Sequence, residues 1–291
     1  MPRSALGWWL AAAALLPVAG AVASRYAHYA VGVELGAFVL ALNLAALGLA
    51  LVLAGKALTG DPFGVALGAL NRSSLARAQA ALWTVVVFAT LLTAAEWNLA
   101  IPPPAIVASP LDLAIPAELL TAVGISLFTA VAAPAIVALR GDSSGQASDA
   151  QMAAAADRTR ALTGTEPDLM HKGQVISNRS ASDASWRDLL TGDDVPLAGR
   201  VDLSKVQQAL LTVIIVGIYT ASFVEALVPV QWLPGLPKLG GDAVRLLAIS
   251  HAGYLGFKVI PKPDAALAEG PGARAALPAR IAAVGGQPAA E

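Results

Sequence analysis

Ser250 and His251 stand side by side in an apolar run, a hydroxyl and an imidazole of the kind that nucleophilic catalysis uses. Neighbouring residues on a helix point about 100° apart, so this serine cannot use this histidine as its base. A base from another helix would be needed, and neither His28 nor His171 is placed to serve. Three scattered histidines make no metal cluster unless the fold gathers them, and a chain without cysteine has neither disulfides nor thiolate ligands. There is no GxxxxGK[ST], no HExxH and no GxSxG elbow on a strand. Gly240-Gly-Asp242 lies at the edge of an apolar span and does not match an intramembrane aspartyl-protease motif pair. The expectation is a protein without enzymatic activity, cofactor or metal. His251 and Tyr254, at i and i+3, share a helix face and mark a polar helix contact or a ligand groove.

A second set of polar residues recurs. Ser74-Leu-Ala-Arg-Ala-Gln-Ala-Ala-Leu-Trp-Thr-Val-Val-Val87 returns 128 positions later as Asp202-Leu-Ser-Lys-Val-Gln-Gln-Ala-Leu-Leu-Thr-Val-Ile-Ile215, with six of 14 positions identical. Apolar matches between membrane helices are cheap. The pairs Arg77/Lys205, Gln79/Gln207 and Thr84/Thr212 are not. Each copy opens on an N-cap type, Ser74 or Asp202, and Leu58-Thr-Gly-Asp61 recurs as Leu190-Thr-Gly-Asp193 ahead of the second copy. The duplication extends into the return segments, where Glu118 to Ser126 and Asp242 to Ser250 each end in Ile-Ser. A cation at a helix N-terminus opposes the macrodipole, so Arg77 and Lys205 are read as phospholipid-headgroup contacts, together with Arg245 and Lys258. Asn43, Gln79, Thr84, Gln207, Thr212, His251 and Tyr254 are the candidate intramembrane polar contacts. A shared twofold along the membrane normal would bring Gln79 to Gln207 and Thr84 to Thr212 at equal depth.

The elements that must position these residues are long and apolar. The 291 residues are 56% hydrophobic and 13% charged, against about a quarter charged in an ordinary soluble domain. Mean hydropathy is +0.65. The fold class expected is all-α, an integral membrane helical bundle of six spans containing two parallel-repeat helical hairpins. Residues 1–24 form an N-terminal anchor or a signal-like segment, and 30–55 a transmembrane helix. Residues 56–140 are the first hairpin and 190–262 the second. Residues 141–189 are expected as a largely disordered cytoplasmic loop and 263–291 as a disordered tail. Trp186, Leu189, Leu190 and Val195 give the end of that loop something to bury against the cytoplasmic mouth of the bundle.

Lysine and arginine fix the orientation. Three lie in 55–77 and eight in 140–205, against none in 96–117 and one in 229–242. The positive-inside rule then puts both termini in the cytoplasm. A net charge of −1 gives no hint of nucleic-acid binding.

Asn71-Arg-Ser-Ser-Leu-Ala-Arg-Ala-Gln79 with Trp83-Thr84, Val201-Asp-Leu-Ser-Lys-Val-Gln207 and Ile249-Ser-His-Ala-Gly-Tyr-Leu255 resemble a group of uncharacterised bacterial multi-spanning membrane proteins. The similarity covers roughly residues 56 to 262. It implies a bacterial inner-membrane location and transfers no activity and no site residue. The functional expectation is a non-enzymatic scaffold or anchor that recruits partners through 141–205. The rival is an oligomeric pore, channel or transporter component using Asn43, Gln79, Gln207 and His251. The partners expected are the lipid bilayer, a protein at 141–205 and further copies of this chain.

Overall fold

The computed structural model describes residues 34–101, 109–228 and 231–259. The expected N-terminal anchor and C-terminal tail lie outside them. Six helices follow in order: α1 (Glu34–Thr59), α2 (Leu75–Ala100), α3 (Ala117–Ser143), α4 (Asp149–Thr163), α5 (Leu203–Ala226) and α6 (Gly241–Val259). A two-stranded antiparallel hairpin, β1 (Leu169–Lys172) and β2 (Val175–Asn178), lies between α4 and α5.

Four helices, α1, α2, α3 and α5, are long and apolar enough to cross a membrane. Alpha-helices suit that solvent because every backbone group is satisfied within the segment. The fifth partner in the bundle, α6, is shorter and carries Asp242, Arg245 and Lys258 in its 19 residues. Burial separates the helices by role. The apolar stretch of α2 is 56% buried, against 22–28% for α1, α3 and α5, so α2 is the central post. One stripe of α1 (Gly36, Val39, Leu40, Asn43 and Ala46) packs inward, while Phe38 and Leu49 face out. The inward stripe of α5 is Lys205, Gln208, Thr212, Ile215, Tyr219 and Phe223, spaced by three and four residues.

Contacts at both ends give the helix directions. Gln79 meets Gln208 and Thr90 meets Tyr219, so α2 and α5 run parallel. Thr129 meets His251 and Arg140 meets the Lys258 carbonyl, so α3 and α6 also run parallel. The loops after α2 and α5 join at the far end. Ala114 and Gly235 form a bridge, and the Asn98 side chain exchanges two hydrogen bonds with the Leu233 backbone, at 2.9 and 2.8 Å. No side chain larger than hydrogen fits at Gly235, where a Cβ would lie 2.5 Å from the Ala114 oxygen.

Residues 141–189, expected as a largely disordered loop, are folded together with the segment up to 202. Helix α4 begins with a capping box between Ser148 and Gln151 and ends on Gly164 at φ 76°. The hairpin turns through Gly173 at φ 59°, and the Val175–Ile176 strand edge also pairs with Asp193–Val195. A small core of Ala147, Ala155, Ile176, Val195 and Ala198 closes the unit. Composition hid this because the core uses small side chains and leans on caps and backbone pairing instead of large apolar volume. The unit forms a cap over the starts of α2 and α5, and Asn178 N–H donates to the Leu70 carbonyl at 3.0 Å. Trp186 does not bury against the bundle as expected. It stays exposed on the cap.

Candidate functional site

Asp193 sits in the cap where four chain segments meet. Its carboxylate accepts from Lys205 Nζ at 2.8 Å and from Lys258 Nζ, while Arg72 Nη1 lies 3.8 Å away. Lys205 also donates to the carbonyls of Asp188 and Thr191, at 3.0 and 2.6 Å, which uses all three ammonium protons. Arg72 donates to Asp188 at 3.1 Å, to Thr191 Oγ1 at 3.0 Å and to the Gly192 carbonyl at 2.8 Å. Beside this cluster Arg140 of α3 pairs with Asp194. The segment before α2, the starts of α3's terminal turn and α5, and the end of α6 are thus held by neighbouring cap residues.

The electrostatics follow from the count of charges. Burial alone would raise the Asp193 carboxyl, but Lys205, Lys258 and Arg72 outweigh it and hold the group well below the usual carboxylate range. Removing one member of a buried ion cluster costs about 3–5 kcal/mol, because the remaining charges lose their partner.

One helical turn deeper lies a polar layer that touches four helices. Gln79 of α2 donates from Nε2 to Thr212 Oγ1 at 2.7 Å and to the Gln208 carbonyl at 3.2 Å. Gln208 of α5 donates from Nε2 to Gln79 Oε1 at 2.9 Å and meets His251 Nδ1 of α6 at 3.2 Å. His251 Nδ1 also meets Thr129 Oγ1 of α3 at 2.8 Å. His251 Nδ1 thus joins α3, α5 and α6 at one point. Among the described residues, His251 Nε2 and Gln208 Oε1 are buried without a hydrogen-bond partner.

A third contact joins α1 to α2. Asn43 Nδ2 donates to Thr93 Oγ1 at 3.0 Å and to Glu96 Oε2 at 2.8 Å, all three residues buried. Glu96 was not among the residues selected from the sequence. Its signal was a lone carboxylate inside an apolar span.

The remaining candidates separate. Gln207 is exposed and does not join Gln79, because the inward stripe of α5 runs through Gln208, about 100° around the helix. Thr84 bonds the carbonyl of Ala80 in its own helix at 2.8 Å and does not pair with Thr212. Tyr254 packs with Ala76 and Ala133, under the Lys258 ammonium at 4.8 Å, apart from the His251 network. Lys205 and Lys258 were expected at lipid headgroups, and the structure corrects this by burying both against Asp193. Arg77 and Arg245 are exposed, bonded to the Leu67 carbonyl at 2.7 Å and to Asp242 at 2.9 Å.

Two larger cavities adjoin the Asp193 ion cluster, which locks the cap to the helix ends. One, of about 60 Å³, lies between the segment before α2 and the Ala133–Ala138 stretch of α3, with Lys205, Lys258 and Asp193 on its wall. The other is a groove of about 290 Å³ within the cap, running from Arg72 and Asp188 past Ile176 to Leu162 and Thr163 of α4. Its volume approaches that of small-ligand or peptide-side-chain pockets. No group of three or more His, Asp or Glu residues placed to hold a metal occurs among the described residues. Comparison with protein-family models, curated proteins and solved structures gives no match to this chain.

Proposed function

We propose that the protein is a non-enzymatic, multi-pass scaffold of the bacterial inner membrane, with its cap on the cytoplasmic side. The observation that carries this reading is the groove of about 290 Å³ in a cap that is bolted to the helix ends through Asp193 and Asp194. A scaffold needs a surface held at a fixed place on the membrane, and a rigid cap supplies one with little ordering entropy left to lose on binding.

Three observations support the finer architecture. Eleven lysines and arginines (three in 55–77, eight in 140–205) lie on the cap side. The parallel pairs α2 with α5 and α3 with α6 suit two hairpins of one duplicated design. Helix α6, apolar between Asp242 and Lys258, is read as a further span, with the exposed Arg245 at its outer end and Lys258 held by Asp193 at the cap end.

The pore or carrier reading requires polar side chains stacked through the full depth. Between the Gln79 layer and the Thr90–Tyr219 contact the bundle is filled by Trp83, Val86, Val87 and Ile215, which interrupt such a path. The test is capture of partners from membranes solubilised with the chain intact, beside solute flux in liposomes. A partner retained by the wild type and lost on Leu162→Arg in the groove supports the scaffold. Flux that Gln79→Leu abolishes, with no groove-dependent partner, would overturn it.

A further inference from the structure

We infer that the Trp186–Arg187 edge of the cap is a membrane-surface anchor that seats on phospholipid headgroups beside the helix bundle. This rests on the reading of α2 and α5 as membrane spans. Trp186 is 59% exposed, and the Arg187 guanidinium stands 5.5 Å from its ring centre. A large exposed indole is unusual on a polar cap whose own core is made of alanine, valine and isoleucine.

Its depth is fixed by backbone contacts. The turn Trp186–Leu189 leads into Leu190, whose carbonyl accepts from the N–H of Asp202, the N-cap of α5, at 2.8 Å. Asp188, in the same turn, accepts from the Ser73 N–H at 3.3 Å, one residue before the N-cap of α2. Trp186 therefore lies level with the points where both spans begin. Tryptophan concentrates at that depth in membranes, where its ring enters the headgroup region and its N–H remains hydrated. Arginine suits it because the stem covers apolar surface while the guanidinium reaches phosphate.

The surrounding surface continues the lipid-facing wall. Val201 and Leu203, at the start of α5, are 71% and 76% exposed, and the exposed face of α5 runs on through Leu210 and Ile214. Phe63, also exposed, lies one short turn from Ala66, whose carbonyl accepts from the N-cap Ser74. Apolar side chains at the helix starts, with Arg77 and Arg187 among them, match a boundary between acyl chains and anionic phosphates. The turn that carries Trp186 joins the start of α5 directly, Leu190 accepting from the Asp202 N–H and Thr191 bridging the exposed Val201.

The chain has no cysteine, so single labels are direct. Trp186→Cys, Leu210→Cys and Glu166→Cys, each carrying a nitroxide, would be reconstituted as full chains in vesicles of phosphatidylcholine and phosphatidylglycerol. Accessibility to oxygen and to a water-soluble nickel chelate reports depth. The expected result is a label at 186 shielded from nickel and reached by oxygen, near the headgroup boundary. Residue 210 should read deeper and residue 166 fully in water. A label at 186 as open to nickel as that at 166, with 210 still shielded, overturns the anchor and leaves the spans standing. A label at 210 open to nickel overturns the spans and the anchor together. A label at 186 closed to both reagents means a protein contact and also overturns it. As a check without a label, brominated lipid should quench wild-type tryptophan emission more than that of Trp186→Phe, and equal quenching contradicts the inference.

Discussion

Gln208 donates from Nε2 to Oε1 of Gln79 across 2.9 Å, and Gln79 returns its own Nε2 to the Gln208 carbonyl at 3.2 Å. The exchange ties the central helix α2 to α5 one turn below the helix starts. Each amide is buried, so each needs the other. Replacing either Gln79 or Gln208 with leucine should weaken helix association by about 1 kcal/mol, in line with modest intramembrane hydrogen bonds. The double replacement should cost less than the sum. Gln207→Leu, on the exposed face, should stay within about 0.5 kcal/mol. Reversible unfolding in mixed micelles measures all four.

Asp193→Asn should destabilise far more, by about 3–5 kcal/mol, because Lys205 and Lys258 would stay buried without their carboxylate. The loss should resist salt, since buried pairs are poorly screened. Denaturation midpoints at low and high ionic strength check both points.

The same carboxylate sets an acid limb. Its folded-state pKa is depressed by the surrounding cations, below an unfolded value of about 3.9. The stability it contributes is therefore fully present above the unfolded value and is lost as pH falls through the lower folded value. The wild type should lose stability below roughly pH 4, and Asp193→Asn should show a shallower acid slope. Thermal midpoints across that range decide it.

Gly199→Ala should loosen the cap selectively. Gly199 has φ 70°, and a Cβ there would lie 2.8 Å from the Arg158 backbone carbon. The strain is about 1–3 kcal/mol. Limited proteolysis should then cut α4 faster while the bundle helices remain protected.

Orientation is tested by reporter fusions. A fusion after Pro104 should report the outer side and one after Ser148 the cytoplasm. The reverse pair would invert the proposed topology.

The helical membrane class was legible because long uncharged runs leave few other structures. The facing of those helices was not. The repeat aligns Gln79 with Gln207, but α5 turns Gln208 inward, and a one-residue offset rotates the contact by about 100°. Asn43 could be picked out as an amide within a span, yet its partner Glu96 lies 53 positions away and only packing joins them. The recurring Leu-Thr-Gly-Asp reads only as a trace of duplication, although its second copy ends on Asp193, which accepts from Lys205 and Lys258. Its two copies differ in use: Asp61 accepts from the Phe63 N–H in an exposed turn, while Asp193 gathers the cations. Four-letter identity carries no information about burial. The cap was illegible because its order comes from capping boxes, positive-φ glycines and pairing between distant segments, none of which raises hydrophobic content.

The most direct test of the account is hydrogen exchange on the full chain in lipid nanodiscs, followed at Ile176 and Val195. Their N–H groups donate to the Asp193 and Gln174 carbonyls, at 2.9 and 2.8 Å, inside the cap. A cap folded and locked to the helix ends predicts strong protection at both amides in the wild type, reduced in Asp193→Asn. Exchange at the rate of an open chain in the wild type would contradict the account, because a scaffold built on a fixed cap would have no fixed cap.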